Sequence, residues 1–347
     1  MGENGHGEPR DPTILIENPR SQELRENKEK ANRVNECAFN FLREQFENPS
    51  DETVDLALRD MLMRSGDDVP AFLDTYRGRE ATDIPKEVFE QTRELLKMSF
   101  HVEMHSKEVL SRTESILEAM INGGVEISAK DFQLARMIAS GHDLIQRWKT
   151  IQHKGGKLER KRFMRDNEHD SADKLIELMR AEGLEDFDEA LLRAAFEATI
   201  PDGWDGTTVV QKNLLADSHP VVRAIALADL GAAGMDTKSY TRGGDELFVE
   251  ENLDMHNLDV SALSDDEKEE YFKRMLDWTK IQVSFATGRK DRFEEELGNL
   301  PEEAKVELKK LFSQFDNSIL RARQSYDTRR GLSFEDLYEV MGFSVSS

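Results

Sequence analysis

Side chains that can hold a divalent ion or move a proton are sparse in this chain, so their places are informative. Of its eight histidines, His101 and His105 stand four apart, the spacing that puts two side chains on one helix face. His142 is followed directly by Asp143. Asp229 lies inside VVRAIALADLGAA (221–233), an unusually small and apolar stretch. A carboxylate among Ile225, Ala226, Leu227 and Leu230 is costly to desolvate unless a cation, or an arginine such as Arg223, pairs with it. Each item is weak alone, because a single helical histidine is more often a hydrogen-bonded core or surface residue than a ligand. As an ordered set, His105, His142, Asp143 and Asp229 offer two imidazoles and two carboxylates. That mixed N/O set suits one divalent ion (Mn, Fe, Co, Zn or Mg) with positions left for water and substrate.

A second cue is electrostatic. In KGGKLERKRFMR (154–165), six basic residues (Lys154, Lys157, Arg160, Lys161, Arg162 and Arg165) face one acid, Glu159. Alone, such a run is a solvated loop or a salt-bridge partner for acidic helices. Directly after the His-Asp helix, paired glycines flanked by Lys and Arg can bring N–H groups and charge to a phosphate. Lys154, Lys157, Arg160, Arg162 and Arg165 are therefore the expected substrate-binding residues.

The elements that must position these groups read as helices. Apolar spacing of three and four predicts one from Lys28, with Val34, Ala38, Phe41 and Leu42, and another carrying Val54, Leu56, Leu58, Met61 and Leu62. A long helix is expected from about Pro85 to Met120, stopped by Gly123-Gly124. Ser128 with Asp131 signals the start of the next, running through Leu134 and Ile138 to Trp148. A loop with Gly155-Gly156, helices near 170–182 and 187–199, and the apolar helix at 220–233 follow. Ser264 to Glu267 caps a long helix reaching past Phe293, and Pro301 restarts the chain. Trp278, Gln282 and Arg289 could line a pocket, and 240–252 could cover a substrate, although plain structure explains both. No useful strand-like alternation and no internal repeat is visible, so the expectation is an all-α fold.

In order along the chain, FHVEMHSKEVL (100–110), ASGHDLIQRW (139–148), NEHDSADKL (167–175), FEATIP (196–201) and AIALADLGAAG (224–234) resemble the HD-domain metal-dependent phosphohydrolase superfamily. The resemblance covers about 95–235. It implies an HD-domain-like helical bundle with N- and C-terminal helical extensions: a flexible tail at 1–25, a helical extension at 26–90, a metal-binding core at 91–240, and a C-terminal helical region at 241–347 packing on that core. It implies that His105, His142, Asp143 and Asp229 ligate the metal, which activates water against a phosphate ester. His101 would protonate the leaving oxygen, and Glu168 would orient or deprotonate the water. Outside the resemblance, His101 reads equally as a hydrogen-bonded histidine, and Glu168 as a carboxylate favoured at a helix N-terminus. Two-metal members carry further histidines; Asn167 stands at one such position and His153 and His169 are off register, so one ion is expected. The phosphodiesterase signature beyond His-Asp is absent.

Composition narrows the partners. Hydrophobic residues at 38% and charged residues at 34% suit amphipathic helices around a real core. A net charge of −23 argues against general nucleic-acid binding, but not against a small phosphorylated substrate in a locally basic pocket. The single cysteine, Cys37, excludes an internal disulfide and a cysteine zinc cage. No apolar run reaches bilayer length, the N-terminus lacks a signal h-region, and His6 breaks the myristoylation pattern, so no membrane partner is expected and the cytoplasm is the default. Assembly of several copies stays open. The competing readings are a degenerate HD domain that binds a ligand or partner without turnover, and a helical scaffold.

Overall fold

A computed structural model of the chain describes residues 19–63, 71–152, 158–201, 203–204, 208–256 and 258–344. Helices dominate: α1 (Pro19–Leu42), α2 (Asp51–Met63), α3 (Ala71–Asp74), α4 (Lys86–Leu96), α5 (Glu103–Asn122), α6 (Ala129–Gly141), α7 (Asp166–Ala181) and α8 (Glu189–Thr199) come first. The later ones are α9 (Pro220–Asp229), α10 (Ala232–Met235), α11 (Thr237–Glu251), α12 (Asp265–Glu296), α13 (Glu302–Leu311), α14 (Phe315–Arg329) and α15 (Phe334–Val340). Two short antiparallel hairpins, β1 (Trp148–Gln152) with β2 (Leu158–Arg162) and β3 (Gly203–Trp204) with β4 (Val209–Val210), interrupt them. Among the described residues no helix is long and apolar enough to cross a membrane.

Local chemistry sets several starts. The Ser128 hydroxyl accepts from Asp131 N at 3.0 Å at the head of α6. At α12, Ser264 Oγ accepts from Glu267 N while the Glu267 carboxylate accepts from Ser264 N, a reciprocal cap. Pro220 occupies the first turn of α9, where its missing N–H costs nothing.

One hydrophobic core joins α5 (Val109, Ile116, Leu117, Met120), α6 (Leu134, Ala135, Ile138) and α9 (Ala224, Ile225, Leu227, Ala228). α1 lies against α6 and α7, contributing Ala31, Val34, Ala38 and Leu42 to the same core. α13 packs on α5, where a Cβ at Gly123 would stand 2.2 Å from Ala304 Cα. A second cluster gathers the end of α11, the first part of α12 and α15 around Phe248, Met275, Leu337 and Tyr338. The C-terminal helices are thus divided, since Phe312, Phe315 and Ile319 belong to the main core.

Several expectations are corrected. The expected 85–120 helix is two helices, with residues 97–102 breaking it, so His101 lies before α5 and does not share a helix face with His105. α6 stops at Gly141 and does not run to Trp148; a Cβ at Gly141 would lie 2.9 Å from Leu175 Cδ1 of α7. The chain then enters β1, where strands were not expected: five residues are too few for a periodic signal, and tertiary contacts hold them. Arg160 stacks over the Trp148 ring at 4.6 Å and donates to Leu95 O at 2.6 Å. Residues 153–157, with Lys154 and Lys157, lie outside the described residues. The helix α1 begins inside the expected tail, and the expected boundaries at 90 and 240 fall within α4 and α11.

Candidate metal centre

α5 brings His105 from its first turn, the end of α6 brings His142 and Asp143, and the last residue of α9 brings Asp229. Their heteroatoms converge. His142 Nε2 is 3.2 Å from His105 Nε2 and 2.9 Å from Asp143 Oδ2. His105 Nε2 is 3.4 Å from Asp143 Oδ2, and both Nε2 atoms are 3.6 Å from Asp229 Oδ1. Ligands about 2.1 Å from one ion stand roughly 3.0–3.4 Å apart, so these separations suit a shared cation. His105, His142 and Asp143, all buried, form a group able to hold a metal ion.

The surroundings aim these atoms. His142 Nδ1–H donates to Ala139 O at 2.9 Å, which leaves Nε2 as the nitrogen facing the centre. Asp143 Oδ1 accepts from Gln146 Nε2 at 2.8 Å and lies 3.4 Å from Arg162 Nη2, turning Oδ2 toward the imidazoles. The loop after α6 is clamped by α7: Asn167 exchanges two 2.9 Å hydrogen bonds with the Arg147 backbone, and Ser171 Oγ accepts from Ile145 N at 2.8 Å. Arg112 ties α5 to α9 by donating to Ala228 O at 2.7 Å, next to Asp229. Arg223, the alternative partner of Asp229, instead donates to Glu296 O and, at 2.8 and 2.9 Å, to Leu215 O and Ala216 O.

Electrostatics follow from this packing. Burial alone would lower the His142 pKa, but Asp143 and Asp229 outweigh it and lift it to about 10. The same contacts hold both aspartates well below the usual carboxylate range despite their burial. A proton on His142 would offset part of the charge of the two carboxylates, and a divalent ion would compete with it for Nε2.

A cavity of about 870 Å³ opens from the centre, lined also by His101, Arg160, Arg162 and Glu168. His101 is held by Glu250, which sequence inspection passed over. Glu250 accepts the backbone N–H groups of Ser99, Phe100 and His101 at 3.1, 2.9 and 3.0 Å, and its other oxygen receives His101 Nδ1–H. This is why the helix breaks at 97–102: those N–H groups point at a carboxylate rather than along an axis. Its signal was that Gly243, Leu247 and Glu250 share one helical phase, placing an acid on a packed stripe as at Asp229.

Arg162 Nη1 donates to His101 Nε2 at 2.7 Å. Burial and the Arg162 charge keep the imidazole below its ordinary pKa against the pull of Glu250. The expected proton donor therefore presents a lone pair, and in this arrangement His101 orients Arg162. Glu168 is buried in the first turn of α7, where Oε2 accepts from Arg165 N at 2.5 Å; Oε1 is 4.0 Å from Arg162 Nη2. Burial raises its pKa, partly offset by Arg162.

The expected basic residues separate. Arg162 reaches the centre. Arg160 is buried and spends Nη2 on Leu95 O and Lys97 O, while Nε and Nη1 meet no hydrogen-bond partner among the described residues. Arg165 is exposed at the head of α7 with φ 75°, and it does not line the cavity. Trp278 and Gln282 line the cavity, as do Tyr240 to Glu251 in part, whereas Arg289 is paired with Glu296. His169 pairs with Glu197 away from the centre.

No family model, no curated protein and no solved structure matches the chain. Fold class and chemistry therefore rest on these residues.

Proposed function

We propose that the chain is a metal-dependent phosphohydrolase of HD-domain type, hydrolysing a nucleotide or another small phosphate ester at one divalent ion. The observation that carries this reading is the convergence of His105 Nε2, His142 Nε2, Asp143 Oδ2 and Asp229 Oδ1 at one end of a cavity of about 870 Å³. When bound, a divalent ion (Mn, Fe, Co, Zn or Mg) would acidify water and neutralise charge on a phosphoryl oxygen.

The chain supplies the rest. Arg162, aimed by the Glu250–His101 pair, offers guanidinium N–H groups to phosphoryl oxygens beside the ion site. Glu168, whose pKa burial raises, would take a proton from attacking water once ionised. Asn167, spent on the Arg147 backbone, is not a further ligand, in keeping with one ion.

The test is elemental analysis of the purified protein and of His142→Ala and Asp143→Ala, followed by a phosphate-ester panel with Mn or Co. The expected result is one ion per chain, lost in both variants, with turnover that depends on it. A protein without metal, indifferent to either change, refutes the metal site. Retained metal with no ester hydrolysed refutes the hydrolase and makes this a binding protein.

A further inference from the structure

The cavity is chemically two-ended. Against the charged end stands a wall built by α11 and α12, from Tyr240, Leu247, Trp278, Ile281 and Phe285. Tyr240 and Leu247 are seven residues apart, and Trp278, Ile281 and Phe285 follow at three and four, so each helix turns one stripe toward the cavity. Gly243 and Gly244 set the width of this end. A Cβ at Gly243 would come within 2.9 Å of Phe100 Cε2, and one at Gly244 within 2.8 Å of Gln282 Cδ.

The aromatic residues have their polar atoms occupied elsewhere. Trp278 Nε1–H donates to Gly244 O at 2.8 Å, and the Tyr240 hydroxyl donates to Gln282 O. Tyr240 and Phe285 lie nearly parallel, with an interplanar angle of 16°. What remains for a ligand is ring face and aliphatic surface. A volume of about 870 Å³ falls within the roughly 300–1,000 Å³ of sites that bury a drug-sized ligand, far beyond the needs of a bare phosphate.

We infer that this wall is the subsite for the alcohol part of the substrate, and that this part carries an uncharged aromatic or fused-ring body. The inference rests on the metal-site reading above and narrows its substrate class: phosphate esters of small polar alcohols bind at the charged end alone. Burying one ring against such a wall is worth on the order of 10- to 100-fold in affinity.

The experiment uses the full-length protein loaded with Mn and two non-hydrolysable probes, 1-naphthylphosphonate and methylphosphonate, measured by calorimetry. The naphthyl probe is expected to bind at least about tenfold tighter. Trp278→Ala should close most of that gap. Ile281→Ser, at a position 42% exposed, should narrow it as well. Equal affinity for the two probes, or a gap that survives both substitutions, overturns the subsite. Turnover is read separately with 1-naphthyl phosphate and glycerol 2-phosphate. A gap in binding without hydrolysis of either ester sinks the hydrolase and leaves the subsite standing.

Discussion

Replacing Glu250 with glutamine tests how the centre is held, because it keeps the shape and removes one charge and one acceptor. Glu250 is 1% exposed and accepts three backbone N–H groups and the His101 ring N–H. Hydrogen bonds to a charged group are worth about 1.5–3 kcal/mol, and neutral ones about 0.5–1.5 kcal/mol, so the three backbone bonds together lose roughly 3 kcal/mol. The fourth contact becomes donor against donor, because the glutamine NH₂ meets His101 Nδ1–H. Shifting the ring proton to Nε2 only moves the conflict to Arg162 Nη1. Burying an amide rather than a charge returns part of this, giving a net loss of about 2–4 kcal/mol.

Urea unfolding at neutral pH measures that loss, and ¹⁵N chemical shifts of His101 report its tautomer. The pH dependence has a definite sign. Burial would raise the Glu250 pKa, but His101 and the backbone donors hold it far below the ordinary 4.5. Its contribution is complete above that ordinary value and is lost as pH falls toward the folded one, so the difference between wild type and Glu250→Gln narrows in acid. A change below about 1 kcal/mol at neutral pH, with the His101 tautomer retained, would refute the assignment of Glu250 as the anchor.

Three further outcomes are expected. With His142 lifted to about 10, metal uptake near neutral pH should release about one proton per ion, and affinity should rise roughly tenfold per pH unit; calorimetry in buffers of different ionisation enthalpy counts the proton. Burial and Glu250 raise the Glu251 carboxyl to about 7, so as pH rises through that value it adds negative charge to the cavity; phosphonate affinity should fall roughly three- to tenfold, and Glu251→Gln should remove this step. Gly123→Ala drives a Cβ into Ala304 and should cost about 1–3 kcal/mol in thermal unfolding, whereas Gly331→Ala, facing only Thr328 O at 3.5 Å, should cost little.

What the sequence made legible is local. The starts of α6 and α12 were readable because the capping side chain and the N–H it accepts from are three residues apart. His105, His142, Asp143 and Asp229 were readable as a set because two residue types recur in a fixed order on helical stretches, one of them costly to bury. What was illegible depends on residues far away. The break before α5 is decided by Glu250, 149 residues beyond His101. The hairpin after α6 is held by backbone carbonyls at Leu95 and Lys97, and the orientation of His101 by a guanidinium on β2. The basic run looked uniform, yet its members differ in fate, since Arg160 meets the carbonyls of Leu95 and Lys97, Arg162 meets His101, and Arg165 lies beyond the strand at the head of α7.

That distance between His101 and Glu250 also has a meaning in time. During synthesis at about 5–20 residues per second, His101 precedes its anchor by roughly 7–30 seconds. Throughout that interval the N–H groups of residues 99–101 have no carboxylate to meet, and the stripe on α12 does not yet exist. The nascent chain can bury α5 against α6, but it cannot finish the chamber beside them. Its pocket is one of the last things this protein makes.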